Sequence, residues 1–242
     1  MTLAASAEPT LETVATEAAR AGLIVSGAFH PTTADEVPGL TDGRPAVTLV
    51  LLGHAGPAMW EAFSASAEFV LAVDPLDSWS RRVIGAMADE LGAAPLFPFA
   101  GPPFLPFGRW VLRSGAAFES PLGILIHPRF GLWQGYRGAL AFAEAIPLPN
   151  VTPTTSPCER CPDRPCLSAC PVGAFSGSGY AVEACLDHLR ALGGGGCRQD
   201  GCQARRACPV GSTYHYGPAQ MGFHMRQFIA GWTRQEGQAG QS

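Results

Sequence analysis

The sequence predicts an α+β protein in two parts: a sheet-and-helix domain over residues 1–150 and a small cysteine-rich domain over residues 151–234. Three observations predict it. Apolar residues recur at helical spacing in some stretches and run continuously in others, a Pro- and Thr-rich segment interrupts the pattern near residue 150, and all eight cysteines follow residue 157. At 242 residues, with 47% hydrophobic and 15% charged, the chain has the composition of a globular protein with a sizeable core.

Taken in order, EPTLETVATEAARAG (8–22) repeats apolar positions at helical spacing and ends in Gly22, which predicts an amphipathic helix. PAVTLVLLG (45–53) predicts a buried strand. In VDPLDSWSRRVIGAMADELG, Asp74 is placed as N-cap, Pro75 at the first helical position, Asp77 at the capping-box position and Gly92 as C-cap. That placement makes Asp77 a helix-start carboxylate rather than a catalytic acid. LFPFAGPPFLPFG (96–108) holds too much Pro and Phe for regular structure, and is either a lid on the core or an aromatic wall of a ligand pocket. PLPNVTPTTSP (147–157) is the predicted linker, and residues 235–242 are a predicted disordered tail.

Charge and motif content exclude several classes. Residues 1–157 hold 8 Arg against 14 Asp and Glu, and residues 158–242 hold 8 Arg against 6. Neither part has the basic excess of a nucleic-acid-binding surface. With no Lys, the chain has no Schiff-base or P-loop lysine, and no G-x-S-x-G, H-E-x-x-H or G-x-G-x-x-G string occurs. No run reaches the roughly 18 apolar residues of a membrane span, and no basic residue precedes Arg20. These features predict a cytoplasmic protein with no membrane partner.

The cysteines carry the strongest chemical signal. Cys158, Cys161, Cys166 and Cys170 stand as C-x2-C-x4-C-x3-C-P, followed by Cys185, Cys197, Cys202 and Cys208-Pro209, and ACPVG occurs at 169–173 and again at 207–211. In a reducing compartment such a set reads as metal ligands before disulfides. In two-cluster bacterial ferredoxins, the cysteine before Pro ligates the other half's cluster. Applied here, that gives Cys158, Cys161, Cys166 and Cys208 to one 4Fe-4S cluster and Cys170, Cys185, Cys197 and Cys202 to a second. Two four-cysteine zinc sites are the alternative. GGGG at 193–196 suits a backbone curling closely around a cluster, while His188, His215 and His224 read as surface or packing residues.

GILIHPRFGLWQGYRGALAF (123–142) sets large polar and aromatic side chains among glycines. If 133–142 is extended, Trp133, Gly135 and Arg137 share one face, open either to a broad ligand or, as an ordinary half-buried strand, to solvent. ILIHPRFGLWQGYRGA resembles the core motif of the CblC family of vitamin B12 processing proteins, and AVTLVLLGHAGPAMWEAF with VDPLDSWSRRVIGAMADEL extends the likeness over roughly residues 20–150.

The resemblance implies a nitroreductase-like α+β fold that binds cobalamin or a related corrinoid without its own base, for removal of the upper cobalt ligand. By motif position it implies Trp133 near the corrin and Arg137 at the place associated with glutathione in animal members, with Tyr136 and His127 as further polar contacts. The join also resembles epoxyqueuosine reductases and reductive dehalogenases, which attach two 4Fe-4S clusters to such a domain. The expectation is an iron-sulfur oxidoreductase passing electrons to cobalt, loaded by an external flavoprotein or ferredoxin. The alternatives are an electron-transfer or corrinoid-escort protein without turnover, and a flavin-binding reductase of the same fold.

Overall fold

A computed structural model describes residues 9–71, 73–150, 154–176, 179–191 and 195–239 of the chain. Part of the predicted linker (151–153), two of the four glycines at 193–196 (193–194) and the last three residues of the predicted tail therefore lie outside the described residues. The chain is mixed α+β and divides into two compact units, Met1–Ala116 with Gly135–Thr154, and Ala117–Gln134 with Thr155–Ser242.

In the first unit the elements are α1 (Leu11–Arg20), β1 (Ile24–Phe29), β2 (Thr48–Ala55), α2 (Ala58–Ser64), α3 (Glu68–Leu71), α4 (Pro75–Leu91), β3 (Ala94–Leu96), α5 (Phe107–Arg113) and β4 (Gln134–Phe142). The strands form one sheet in the order β1-β2-β4-β3, with β1 antiparallel to β2 and β3 antiparallel to β4. Thr10 caps α1 through a reciprocal pair with Thr13, and Val14 and Ala18 turn inward. Thr48 to His54 are buried in unbroken succession, so β2 is covered on both faces. Pro75 opens α4, and Gly92 closes it at φ 67 in the left-handed region. Asp74, the expected cap, makes no side-chain cap bond. Trp79 from α4 meets Phe63 edge-on at 5.9 Å in the core.

The predicted loop 96–108 stays largely irregular until α5 begins at Phe107. Its rings go separate ways: Phe107 enters the core beside Trp110, Phe97 stacks on Phe99 at 5.3 Å, and Phe104 is 64% exposed.

The second unit has little regular structure of its own: α6 (Pro165–Ser168), a two-residue hairpin of β5 (Phe175–Ser176) and β6 (Gly179–Tyr180), α7 (Val182–Arg190), α8 (Gly195–Asp200), α9 (Gln203–Arg206) and α10 (Pro218–Ala239). The backbone of α10 runs on to Ala239, so residues 235–239 are helical where a disordered tail is expected. No described helix is long and apolar enough to cross a membrane.

The division differs from the expected cut near 150, because residues 117–134 join the cysteine region. Two features hold them there. At Gly131, φ +59, an added Cβ would stand 1.9 Å from Val210 O, and at Gly211, φ +71, one would stand 2.3 Å from Phe130 O. Only glycines allow those two backbone turns to touch. Arg205 also donates from Nε to the Leu132 carbonyl at 2.9 Å.

Candidate metal centres

All eight cysteines are free thiols, Cys197 and Cys208 buried and the other six half-buried. They are placed by a repeated local device. The one-turn helices α6 and α9 end at Ala169 and Ala207, the first residues of the two ACPVG copies. Each copy closes on a left-handed glycine, Gly173 at φ 59 and Gly211 at φ 71. The cysteine inside each copy is therefore presented by the same turn, with its sulfur accepting a backbone N–H two or four residues on. Ala174 N donates to Cys170 Sγ at 3.3 Å, and Val210 N–H donates to the Cys208 sulfur.

The thiols fall into two sets of four. Cys158, Cys161, Cys166 and Cys208 line a cavity of about 20 Å³, closed by Ile126, Pro209 and Val210. Cys170, Cys185, Cys197 and Cys202 line another of about 250 Å³. Each set thus combines three cysteines from one stretch of chain with the Cys-Pro cysteine of the other. Both sets touch one apolar cluster built on Leu122, Ile126, Leu132 and Ala204. No group of three or more His, Cys, Asp or Glu side chains among the described residues is gathered to hold a single metal ion.

The electrostatics of the two sets are alike. Burial pushes the thiols of Cys158, Cys166, Cys185, Cys202 and Cys208 above the ordinary range, and neighbouring sulfurs push further the same way. Hydrogen bonds act against this: Ser156 hydroxyl to Cys158, Leu167 N–H to Cys166, and Ala204 and Arg205 N–H to Cys202. Tyr180 hydroxyl donates to Cys185, and burial and that bond push its own pKa up. Such donors stabilise thiolates that a cation neutralises, which suits four-thiolate metal ligation.

The four residues expected to contact a corrinoid divide between the two units, His127 and Trp133 in the second and Tyr136 and Arg137 in the first. Trp133 precedes β4 and is 1% exposed, with the Arg205 guanidinium 4.7 Å from its ring centre, His215 at 4.2 Å and Tyr216 edge-on at 5.2 Å. Arg137 lies in β4 of the first unit, where Nε donates to Ser80 Oγ at 3.0 Å, Nη2 pairs with Asp77 and the guanidinium lies 5.5 Å from the Phe99 ring centre. Asp77 is thus the partner of Arg137 rather than part of a capping box. Tyr136 is half-buried in β4.

His127 holds a turn. Its Nδ1 accepts the N–H of Arg129 at 3.0 Å and of Phe130 at 3.2 Å, its ring stacks on Phe130, and His127 pairs with Gly131 across the turn. The strand predicted through Trp133 begins only at Gln134, since the left-handed glycine at 131 breaks the extended run.

Sequence reasoning overlooked two residues beside the thiols, Arg205 and Tyr180, and set a third, His188, aside as a surface or packing residue. Arg205 sits one helical turn after Cys202, Tyr180 on the short hairpin, and His188 one turn after Cys185. His188 and His224 line the larger cavity rather than the surface, while His215 packs on Trp133. The i,i+3 spacing from a cysteine is the signal that finds Arg205 and His188. For Tyr180 the sequence holds none.

The fold and these sites define an α+β chain whose second unit gathers eight thiols into two interleaved sets of four. No protein-family model matches the chain, and no curated protein matches it.

Proposed function

We propose that this chain is a two-cluster iron-sulfur redox protein that delivers electrons to an acceptor held by its first unit. On the resemblance of residues 20–150 to the CblC family, that acceptor is cobalamin or a related corrinoid, reduced so that its upper ligand leaves. The observation that carries the metal part is the interleaving: each cavity is lined by four thiols, one of them the Cys-Pro cysteine of the other stretch. Motif layout supports iron-sulfur over zinc, because zinc sites typically come as separate C-x2-C pairs and call for no swapped Cys-Pro cysteine.

When bound, the clusters would supply one-electron transfer; the protein's part is to hold and tune them. Cys158, Cys161, Cys166 and Cys208 would hold one and Cys170, Cys185, Cys197 and Cys202 the other, with Leu122, Ile126, Leu132 and Ala204 keeping water from the sulfurs. A flavoprotein or ferredoxin would be the external donor.

The corrinoid part rests on the resemblance, and the four motif residues do not fit it as a set. Trp133 is covered by Arg205 and His215, and Arg137 is engaged by Asp77 and Ser80. Those engagements favour, as a second reading, an electron carrier that binds no corrinoid.

One sample separates the readings. Anaerobically purified protein should contain iron and acid-labile sulfide in equal amounts, about eight of each per chain. Zinc in their place overturns the proposal. Titration of the same sample with hydroxocobalamin should shift its absorption spectrum; an unchanged spectrum with full iron content leaves the electron carrier. A bound yellow cofactor without corrinoid affinity identifies the flavin alternative.

A further inference from the structure

His188 lines the larger thiol cavity with a ring nitrogen that no hydrogen bond among the described residues satisfies. α7 carries Cys185 and His188 three residues apart, so both project from one side of the helix, and both line the cavity. His188 Nε2 is shut off from solvent and has no hydrogen-bond partner among the described residues. A buried ring N–H without an acceptor is costly, and native proteins rarely leave one so. The cavity wall carries apolar side chains, among them Leu189 and Phe228, and the polar side chains of Tyr180, Gln203, Arg205 and His224, none of them hydrogen-bonded to His188 Nε2. It also carries four sulfurs, acceptors whose capacity grows with negative charge.

We propose that His188 donates its Nε2–H to the metal-sulfur group held by Cys170, Cys185, Cys197 and Cys202, and thereby makes that centre the more easily reduced of the two. This rests on the iron-sulfur reading above. A donor stabilises the reduced, more negative state of a cluster more than the oxidised state, and hydrogen bonds to sulfur are among the terms that set cluster potentials. The inventories of the two sets otherwise match, which leaves His188 as the difference. The first has Ser156 hydroxyl and the N–H groups of Cys166, Leu167 and Val210. The second has Tyr180 hydroxyl, the N–H groups of Ala174, Ala204 and Arg205, and His188 in addition. Electrons entering the protein therefore settle on the second centre, and its surroundings, not those of the first, control delivery.

Potentiometric titration followed by electron paramagnetic resonance reads both centres. His188→Leu should shift one of the two reduction waves to lower potential by roughly a tenfold change in the reduction equilibrium, about 59 mV for a one-electron couple. His188→Gln, which can place an amide N–H near the same point, should restore most of it. Tyr180→Phe should move the same wave in the same direction, and tests the ordering even if His188→Leu fails to load. Ser156→Ala should move the other, lower wave.

The inference is overturned if both waves stay put in His188→Leu, if Leu and Gln shift them equally, or if Tyr180→Phe moves the lower wave. Protein without iron fails the functional reading itself, whereas full iron with unmoved waves fails only this inference.

Discussion

The two units are held together by different means. The first closes on a sheet whose central strand is buried on both faces, with Trp79, Trp110, Phe63 and Phe142 fully enclosed. The second commits its thiols to its own core: Cys208 is a member of the apolar cluster, and Cys158, Cys166, Cys170 and Cys202 pack on it. Its helices α6 and α9 are four residues each, too short to stand without support. On the proposed function this unit would draw its stability from ligation, while the other draws it from burial.

Metal removal breaks the comparison most severely. Anaerobic chelation should abolish amide protection throughout residues 155–239 while leaving β2 and β4 protected, as read by hydrogen exchange with mass spectrometry. Loss of protection in both units together would show that they fold as one. The reverse experiment is milder. Leu51 is fully buried in β2, so Leu51→Ala should cost about 2–5 kcal/mol in the first unit and leave the iron content unchanged.

The same difference explains what was readable in advance. The first unit's helices follow periodicity and caps, so Leu11–Arg20 and Pro75–Leu91 fall inside their expected bounds. The thiol sets were readable because ACPVG recurs, and a repeated string imposes a repeated turn. The course of the chain from 123 to 142 was not, because alternation cannot show where an extended run starts. One left-handed glycine at 131 sends Trp133 to the second unit and leaves Arg137 in the first, and glycines occur on every side of it. The role of His127 escaped for a related reason: its acceptors and donors are backbone groups, which carry no residue signature.

Two left-handed glycines sharpen the point. Gly92 at φ +67 has open space where a Cβ would go, so Gly92→Ala should cost only the backbone strain, about 1–2 kcal/mol. Gly131→Ala adds a clash with Val210 O and cannot be relieved without moving the turn that presents Cys208. It should lower iron occupancy of the first set selectively, seen as loss of one of the two paramagnetic signals. Equal effects of the two substitutions would mean that the contact with Val210 matters little.

Arg137 gives a smaller effect in the first unit. Its side chain is 13% exposed and that of Asp77 35%, so the pair is partly dehydrated. Arg137→Ala leaves Asp77 and Ser80 short of a donor and should destabilise the unit by about 1–3 kcal/mol, measured as a lower midpoint in denaturant. A double-mutant cycle with Asp77→Ala isolates the pair. If Arg137→Ala instead keeps full stability and weakens hydroxocobalamin binding, the residue serves a ligand, as the family resemblance implies.

The smallest expected effect is a pH dependence confined to the 127–131 turn. Burial, with the Arg129 charge second, holds the His127 pKa below its ordinary value. Nδ1 must stay unprotonated to accept the N–H groups of Arg129 and Phe130. With the folded value depressed, the unfolded turn binds a proton first as pH falls. The stabilisation is therefore complete above about 6.5 and declines below it toward the folded pKa. Exchange of the Arg129 and Phe130 amides, corrected for intrinsic rates, should accelerate as the pH falls from about 7.5 to about 5.5, through and below the ordinary imidazole value of roughly 6.5 at which the decline begins. His127→Asn should remove the acceleration, since its carbonyl accepts at either pH. Persistence of the acceleration in that variant would assign it to another group, and the turn would then owe its geometry to Gly131 and Gly211 alone.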